Sequence, residues 1–249
     1  MFWYFHGRFN YVSNFHSRSK FMVFIDDLTT RHASSPNNTD VKRMYFCIYY
    51  KISDNAFKHA AFTWENYIKQ QEKFNPKQDL FLNLEVISET HFKSAWTQIC
   101  MRAKAENRVV CAGNLLTHAS KQQSGTDGLE FKRIRNERED GTLNKAEIIG
   151  LPKLPWDKNS YLILSGCNTG IKGSRGWCPA EIFATYQNVN TLGQSGYAYF
   201  SSFWNEYKVR KANASQTYLW AYHHGKNAEL AGFSSTGKRI KAILYRGHK

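Results

Sequence analysis

Two short runs end on residues able to act together on a carbonyl. "NLLTHA" (114–119) is apolar until Thr117-His118, and "YLILSGCNTG" (161–170) is apolar or β-prone until Ser165-Gly166-Cys167. A cysteine thiolate attacks a carbonyl carbon, and an imidazole beside it protonates the leaving amine. Small and polar residues crowd the cysteine on both sides, which a thiol that only filled a core would not need. Gly166 and Gly170 let the backbone turn sharply and approach a substrate closely. The N–H of Cys167 at that turn, with the N–H just after His118, on Ala119, can receive the negative charge that develops on the attacked oxygen.

For the pair to meet, both runs must be strands of one sheet. "VVCAGNLLTHA" (109–119) is short enough for a buried strand, and "PKLPWDKN" delivers the chain to a second, "SYLILSGC" (160–167). Ligands collect at the carboxyl ends of parallel strands, so neighbouring parallel strands bring His118 and Cys167 to one edge. Further strands are predicted at "FMVFIDDL" (21–28), "RMYFCIYYKIS" (43–53), "DLFLNLEVIS" (79–88) and "TLGQSGYAYFSSFW" (191–204). Helices are predicted between them. "HAAFTWENYIKQQEKF" (59–74) places Phe62, Tyr67 and Gln71 together and ends before Asn75-Pro76. The segment 88–108 opens on Ser88 as N-cap and aligns Phe92, Trp96, Ile99 and Cys100 on one face. "TLNKAEIIGL" begins a short helix at Thr142, and "PAEIFATYQNV" starts with Pro179 at its first helical position. Strands alternating with helices predict an α/β sandwich, largely parallel in its middle. One domain over 1–249 is the simplest organisation. Its core runs over about 20–205, with 1–20 and 206–249 as decorations and no element assigned to the tail.

A hydrophobic strand ending in His plus a small residue, then one ending in two small residues and Cys, resembles the caspase-like (clan CD) cysteine peptidases. That group includes the caspases, gingipains, separase and the bacterial CHAT domains. "LILSGCNTG" looks most like the CHAT version, where a strand runs into Leu-Ser-x-Cys-x-Thr-Gly. The approach "KAEIIGLPKLPWDKNSYLILSGC" is similar too. Caspases place their His about 50 residues before the Cys, and here the separation is 49. The resemblance spans roughly residues 20–205, with specific motifs only between His118 and Gly170. It implies a caspase-hemoglobinase-like three-layer sandwich and peptide-bond hydrolysis by a dyad without a cofactor. His118 would be the acid and base and Cys167 the nucleophile, with backbone at Ala119, Gly166 and Cys167 around the oxyanion. The chain departs from the family in carrying Ala119 where Gly usually follows the His; alanine keeps the N–H but alters the local backbone.

Enzymes of this kind read the residue before the scissile bond with loops around the cysteine edge. Asp127 in "SGTDGLEF", with Glu130 and Asp140, is a candidate for selecting a basic residue; the alternative is ordinary turn chemistry in a Gly-rich hairpin. Gly193, Ser195 and Gly196 either wall the pocket or ease an aromatic strand into the core. Cys178 is a rival nucleophile, because a helix N-terminus stabilises a thiolate, but no strand precedes it. Cys47, Cys100 and Cys111 read as core. His223-His224 have no third ligand in view and read as surface residues. Cys167 and His118 themselves also admit a structural reading, as a packed strand end and a hydrogen-bonded histidine.

The chain has 249 residues, 42% hydrophobic and 15% aromatic, which supports a sizeable core and excludes global disorder. Thirty-four Lys and Arg against twenty Asp and Glu leave a charge of +14, which attracts anionic surfaces. That charge is spread, and neither zinc-finger spacing nor a Walker loop is present. Five scattered cysteines without a CxxC argue against a disulfide framework or structural zinc and suit a reducing compartment. The start lacks the apolar core of a secretory signal, and no run approaches the ~20 apolar residues of a span. A soluble, cytoplasmic protein acting on a protein or peptide substrate is expected, of the compact kind found among bacterial effectors and toxins. Two other classes stay open: an inactive caspase-like module that binds without hydrolysis, and a basic nucleic-acid-binding protein. Nothing in the sequence sets the oligomeric state.

Overall fold

Aromatic and β-branched residues fit a pleated, half-buried surface, and "KRMYFCIYY" forms strand β1 (Lys42–Tyr50). The computed structural model describes residues 41–51, 56–69, 74–119, 126–194, 197–198, 221–222 and 242–247. After β1 come α1 (Ala56–Lys69), β2 (Leu80–Val86), α2 (Glu89–Ala105), β3 (Arg108–Leu116), β4 (His118–Ala119), β5 (Leu129–Glu130) and β6 (Thr142–Leu143). Then follow α3 (Lys145–Gly150), β7 (Trp156–Leu164), α4 (Pro179–Gln187), β8 (Asn190–Gly193), β9 (Tyr197–Ala198), β10 (Ala221–Tyr222) and β11 (Ile243–Tyr245). The predicted strand over 21–28 lies outside the described residues, as do Ser195, Gly196, His223 and His224.

The main sheet has six strands in the order β11-β8-β7-β3-β1-β2. The first five in chain order pair in parallel, and β11 closes one edge antiparallel to β8. The expected mixed α/β class with a mostly parallel sheet is therefore present. Register shows which side chains share a face: Tyr45, Ala112 and Tyr161 point one way, while Phe46, Gly113 and Leu162 point the other. Helix α1 covers the first face, where Trp64 meets Tyr161 edge to face at 6.1 Å. Helices α2 and α4 cover the second, with Trp96 at 5.8 Å from Phe46 and 5.4 Å from Phe183. Gly113 makes room there, since an added Cβ would lie 2.4 Å from the Phe46 ring.

Four predicted details change. The buried face of α1 is Phe57, Ala60, Ala61, Trp64 and Ile68, with Phe62 only half-buried. The Tyr67 side chain and Gln71 lie outside the described residues. Thr142 does not begin a helix but lies in β6. Asn144 is the N-cap of α3, accepting the N–H groups of Ala146 and Glu147, while the Glu147 carboxylate accepts the Asn144 N–H in return. The segment 191–204 is not one strand: β8 stops at Gly193, and Tyr197–Ala198 pair with β10 in a separate ribbon. The unassigned tail supplies β11. Helix α2 keeps its predicted Ser88 cap, which accepts the His91 N–H at 3.2 Å, and its buried Phe92, Trp96, Ile99 and Cys100.

A second, antiparallel sheet, β4-β5-β6, carries His118. An acid cluster ties it down. Glu89, the first residue of α2, is 1% exposed, and its Oε2 accepts the N–H of Gly141, just before β6, at 3.1 Å. Lys93 Nζ lies 2.7 Å from both Glu89 Oε1 and Glu147 Oε1, the first an ion pair whose angle is off that of a hydrogen bond. Glu139 accepts the Thr90 hydroxyl at 3.0 Å and sits 3.5 Å from Lys93; Glu137 accepts the Ser88 hydroxyl.

Burial, then the hydrogen bond with Glu147, push the Glu89 carboxyl up to about 7. Burial opposes ionisation of Glu147 as well, yet hydrogen bonds from Glu89 and Lys93 hold it below the ordinary range. An unfolded Glu releases its proton near 4.5. Between there and about 7 the folded chain holds a proton that the unfolded chain has lost, so stability falls as pH rises through that window. Glu147, shifted the other way, acts only below it. The thermal midpoint is expected to decline from pH about 5 to about 7.5. Glu89→Gln should flatten that decline, because the amide still accepts from Gly141 and can donate to Glu147. A Glu89→Gln melt series with the parental slope would assign the effect to another group.

Candidate active site

His118 and Cys167 lie just beyond the carboxyl ends of hydrogen-bonded parallel neighbours, β3 and β7; the strand expected to run through to His118 ends at Leu116, and His118 opens β4 of the second sheet. The aligned pairs from Ala112–Tyr161 to Leu115–Leu164 are each as far apart in sequence as His118 and Cys167 are. The two chains also leave the sheet in step. Ser165 N–H still reaches the Leu115 carbonyl at 2.8 Å, and Gly166 lies against Thr117, whose carbonyl oxygen would be 3.0 Å from an added Cβ. His118 and Cys167 are the next residue on each side. This edge is where parallel α/β sheets place their ligands.

The cysteine turn is held from several directions. Its left-handed residue is Asn168 (φ 56°), not the flanking glycines; Asn adopts this conformation more readily than most residues. Gly166 and Gly170 instead serve close approach. The buried Thr169 hydroxyl lies 3.0 Å from Leu164 O and 3.1 Å from Gly166 O, able to donate to either, and accepts the Gln194 N–H at 3.0 Å. The Thr169 carbonyl accepts the Ala180 N–H in the first turn of α4 at 3.1 Å. Gly170 donates to Gln194 O at 2.8 Å, and its carbonyl accepts the Tyr245 hydroxyl of β11 at 2.9 Å. Backbone at Cys167 is thus fixed before any substrate arrives, which is the condition for preorganised charge stabilisation.

His118 is exposed, with its ring between two aromatic side chains. Tyr50, at the end of β1, stands at 5.7 Å with planes 73° apart, and Phe57, in the first turn of α1, at 5.1 Å with planes 56° apart. Its backbone pairs across β4–β5 with Glu130. Ala119 is buried opposite Leu129.

The remaining candidates fall elsewhere. Asp127 accepts the Ser174 hydroxyl at 2.9 Å and the Arg175 N–H at 3.4 Å, and its Oδ1 would be 2.4 Å from a Cβ on Gly173. It joins the segment before β5 to the loop after the cysteine turn, which Thr126 and Lys172 also bridge. Asp140 accepts the Thr142 N–H at 2.8 Å in a tight turn. All five cysteines are described, and Cys167 alone is not buried. Burial pushes the Cys178 thiol up, with its helix N-terminus sealed from solvent, and pushes Cys111 up to about 12. Among the described residues no three His, Cys, Asp or Glu side chains gather to hold a metal ion, and no helix is long and apolar enough to cross a membrane.

Tyr50, Phe57, Gln194 and Tyr245 had no sequence signal tied to the site, whereas Thr169 is the threonine of the Leu-Ser-x-Cys-x-Thr-Gly pattern. Gln194 is 1% exposed, and among the described residues neither atom of its side-chain amide has a hydrogen-bond partner; Thr117 Oγ1 is in the same position. Orphaned buried polar atoms are rare, and these two flank the paired strand ends. A comparison with known protein families finds none that matches the chain, and a search of curated proteins returns no match either.

Proposed function

We propose that the chain is a caspase-like cysteine endopeptidase that hydrolyses peptide bonds through Cys167 and His118. The observation that carries this reading is the β3–β7 register, whose last aligned pair, Leu115 and Leu164, stands three residues before His118 and Cys167 respectively. The exposure of Cys167 alone among the cysteines supports it, as does the rigid turn beneath. Helices on both faces of a mostly parallel sheet support the finer reading of a caspase-hemoglobinase-like sandwich. In this mechanism the Cys167 sulfur adds to the substrate carbonyl, and backbone at Ala119, Gly166 and Cys167 receives the oxyanion. His118 protonates the departing amine, then takes a proton from the water that hydrolyses the thioester. Asp127 shapes the wall of the substrate cleft through Ser174 and Arg175. The substrate is a protein or peptide met inside a cell, as for a bacterial effector or toxin.

Incubation of the purified protein with a peptide library, read by mass spectrometry, tests this. Cleavage at a restricted set of residues is expected, and prior iodoacetamide labelling located at Cys167 should stop it. An uncut library, together with sluggish labelling of Cys167, would favour an inactive binding module instead.

A further inference from the structure

Resting on the reading of Cys167 and His118 as the reacting pair, we propose that Tyr50 and Phe57 are positioning residues for the His118 imidazole. Both ring centroids lie within 6 Å of it, at 5.7 Å and 5.1 Å, the range in which an aromatic face attracts a cation. A ring face turned towards an imidazolium favours the protonated form, and the exposure of His118 spares that form the penalty of full burial. An imidazolium held at the Cys167 edge in turn favours the thiolate.

The bracket is itself braced. Tyr50 is 9% exposed; its hydroxyl accepts the Lys132 N–H at 3.0 Å, and its ring meets Phe131 edge to face at 5.6 Å. Phe131 leans on Phe92 of α2 at 5.4 Å. Phe57 is 6% exposed in the first turn of α1. Two elements, β1 and α1, therefore fix one ring each. Among the described residues, the Tyr50 ring stands against His118 and Glu130 is its cross-strand partner in the β4–β5 pair.

The experiment is the pH–rate profile of iodoacetamide labelling at Cys167, located by mass spectrometry, beside the imidazole NMR titration of His118. Phe57→Leu and Tyr50→Leu are each expected to lower the His118 titration midpoint and to slow labelling at pH about 6 by about threefold, with Phe57→Tyr and Tyr50→Phe restoring it. Glu130→Gln is the rival arm. If His118→Ala changes the labelling profile while neither leucine variant does, or if only Glu130→Gln does, the positioning role is overturned and the dyad survives. If His118→Ala leaves the profile unchanged, the dyad falls and the positioning role with it.

Discussion

Cys167→Ala is expected to lower kcat/KM for peptide cleavage by roughly a thousandfold or more. The thermal midpoint should move by less than about 2 °C, because at this chain length about 1 kcal/mol shifts it by only 2–4 °C. The two expectations belong together. The Cys167 side chain is half-buried, and the hydrogen bonds that hold its turn come from Thr169, Gly170, Ala180, Gln194 and Tyr245. Removing one sulfur therefore deletes the nucleophile without deleting the support. Cys167→Ser sharpens the test, since the hydroxyl keeps the shape but forms its anion far less readily than a thiol. It should be nearly as inactive as the alanine variant. Peptide cleavage by Cys167→Ala at the parental rate would end the endopeptidase reading, and a large fall in melting temperature would mean the thiol has a packing role instead.

The strand placements behind this were legible because they depend on local composition and on one topological rule. Apolar runs of strand length ending on His118 and Cys167 leave few alternatives, and two parallel neighbours share their carboxyl edge. The supports around them were not legible. Tyr245 belongs to a three-residue strand, too short for any periodicity, and becomes visible only when β11 pairs with β8. Tyr50 lay within a predicted strand and Phe57 in no predicted element, and nothing in their spacing relates them to a histidine some sixty residues further on. The helix start was placed at Thr142, two residues before the true cap Asn144, and both are capping residue types. The reciprocal bond with Glu147, which decides between them, needs the folded turn. The glycines were read for a sharp turn and for close approach to a substrate, and the approach the structure shows is to the chain's own backbone. The left-handed conformation in the turn fell to Asn168, and Gly170 was left to meet another backbone.

That contact carries the second large effect. Gly193 ends β8, and a Cβ added to it would lie 2.5 Å from Gly170 Cα, 2.6 Å from Gly170 N and 2.7 Å from Ala180 Cβ. The converse Cβ on Gly170 would meet the Gly193 carbonyl oxygen at 2.6 Å. No flexible side chain is available to swing aside, so relief must come from the backbone of the cysteine turn or from α4 moving away. Gly193→Ala is expected to cost about 3 kcal/mol, the upper end for overpacking, and to lower the melting temperature by roughly 6–12 °C. Peptide cleavage should fall further than stability alone accounts for, because the displaced backbone is the one that holds Cys167. Gly150→Ala is the matched control: the same methyl at the end of α3 has nothing within 4 Å and should be neutral or stabilising by up to about 1 kcal/mol. Comparable melting temperatures for the two variants would show that β8 and the cysteine turn are not pressed together, and the rigid support beneath Cys167 would have to come from the hydrogen bonds of Thr169 alone.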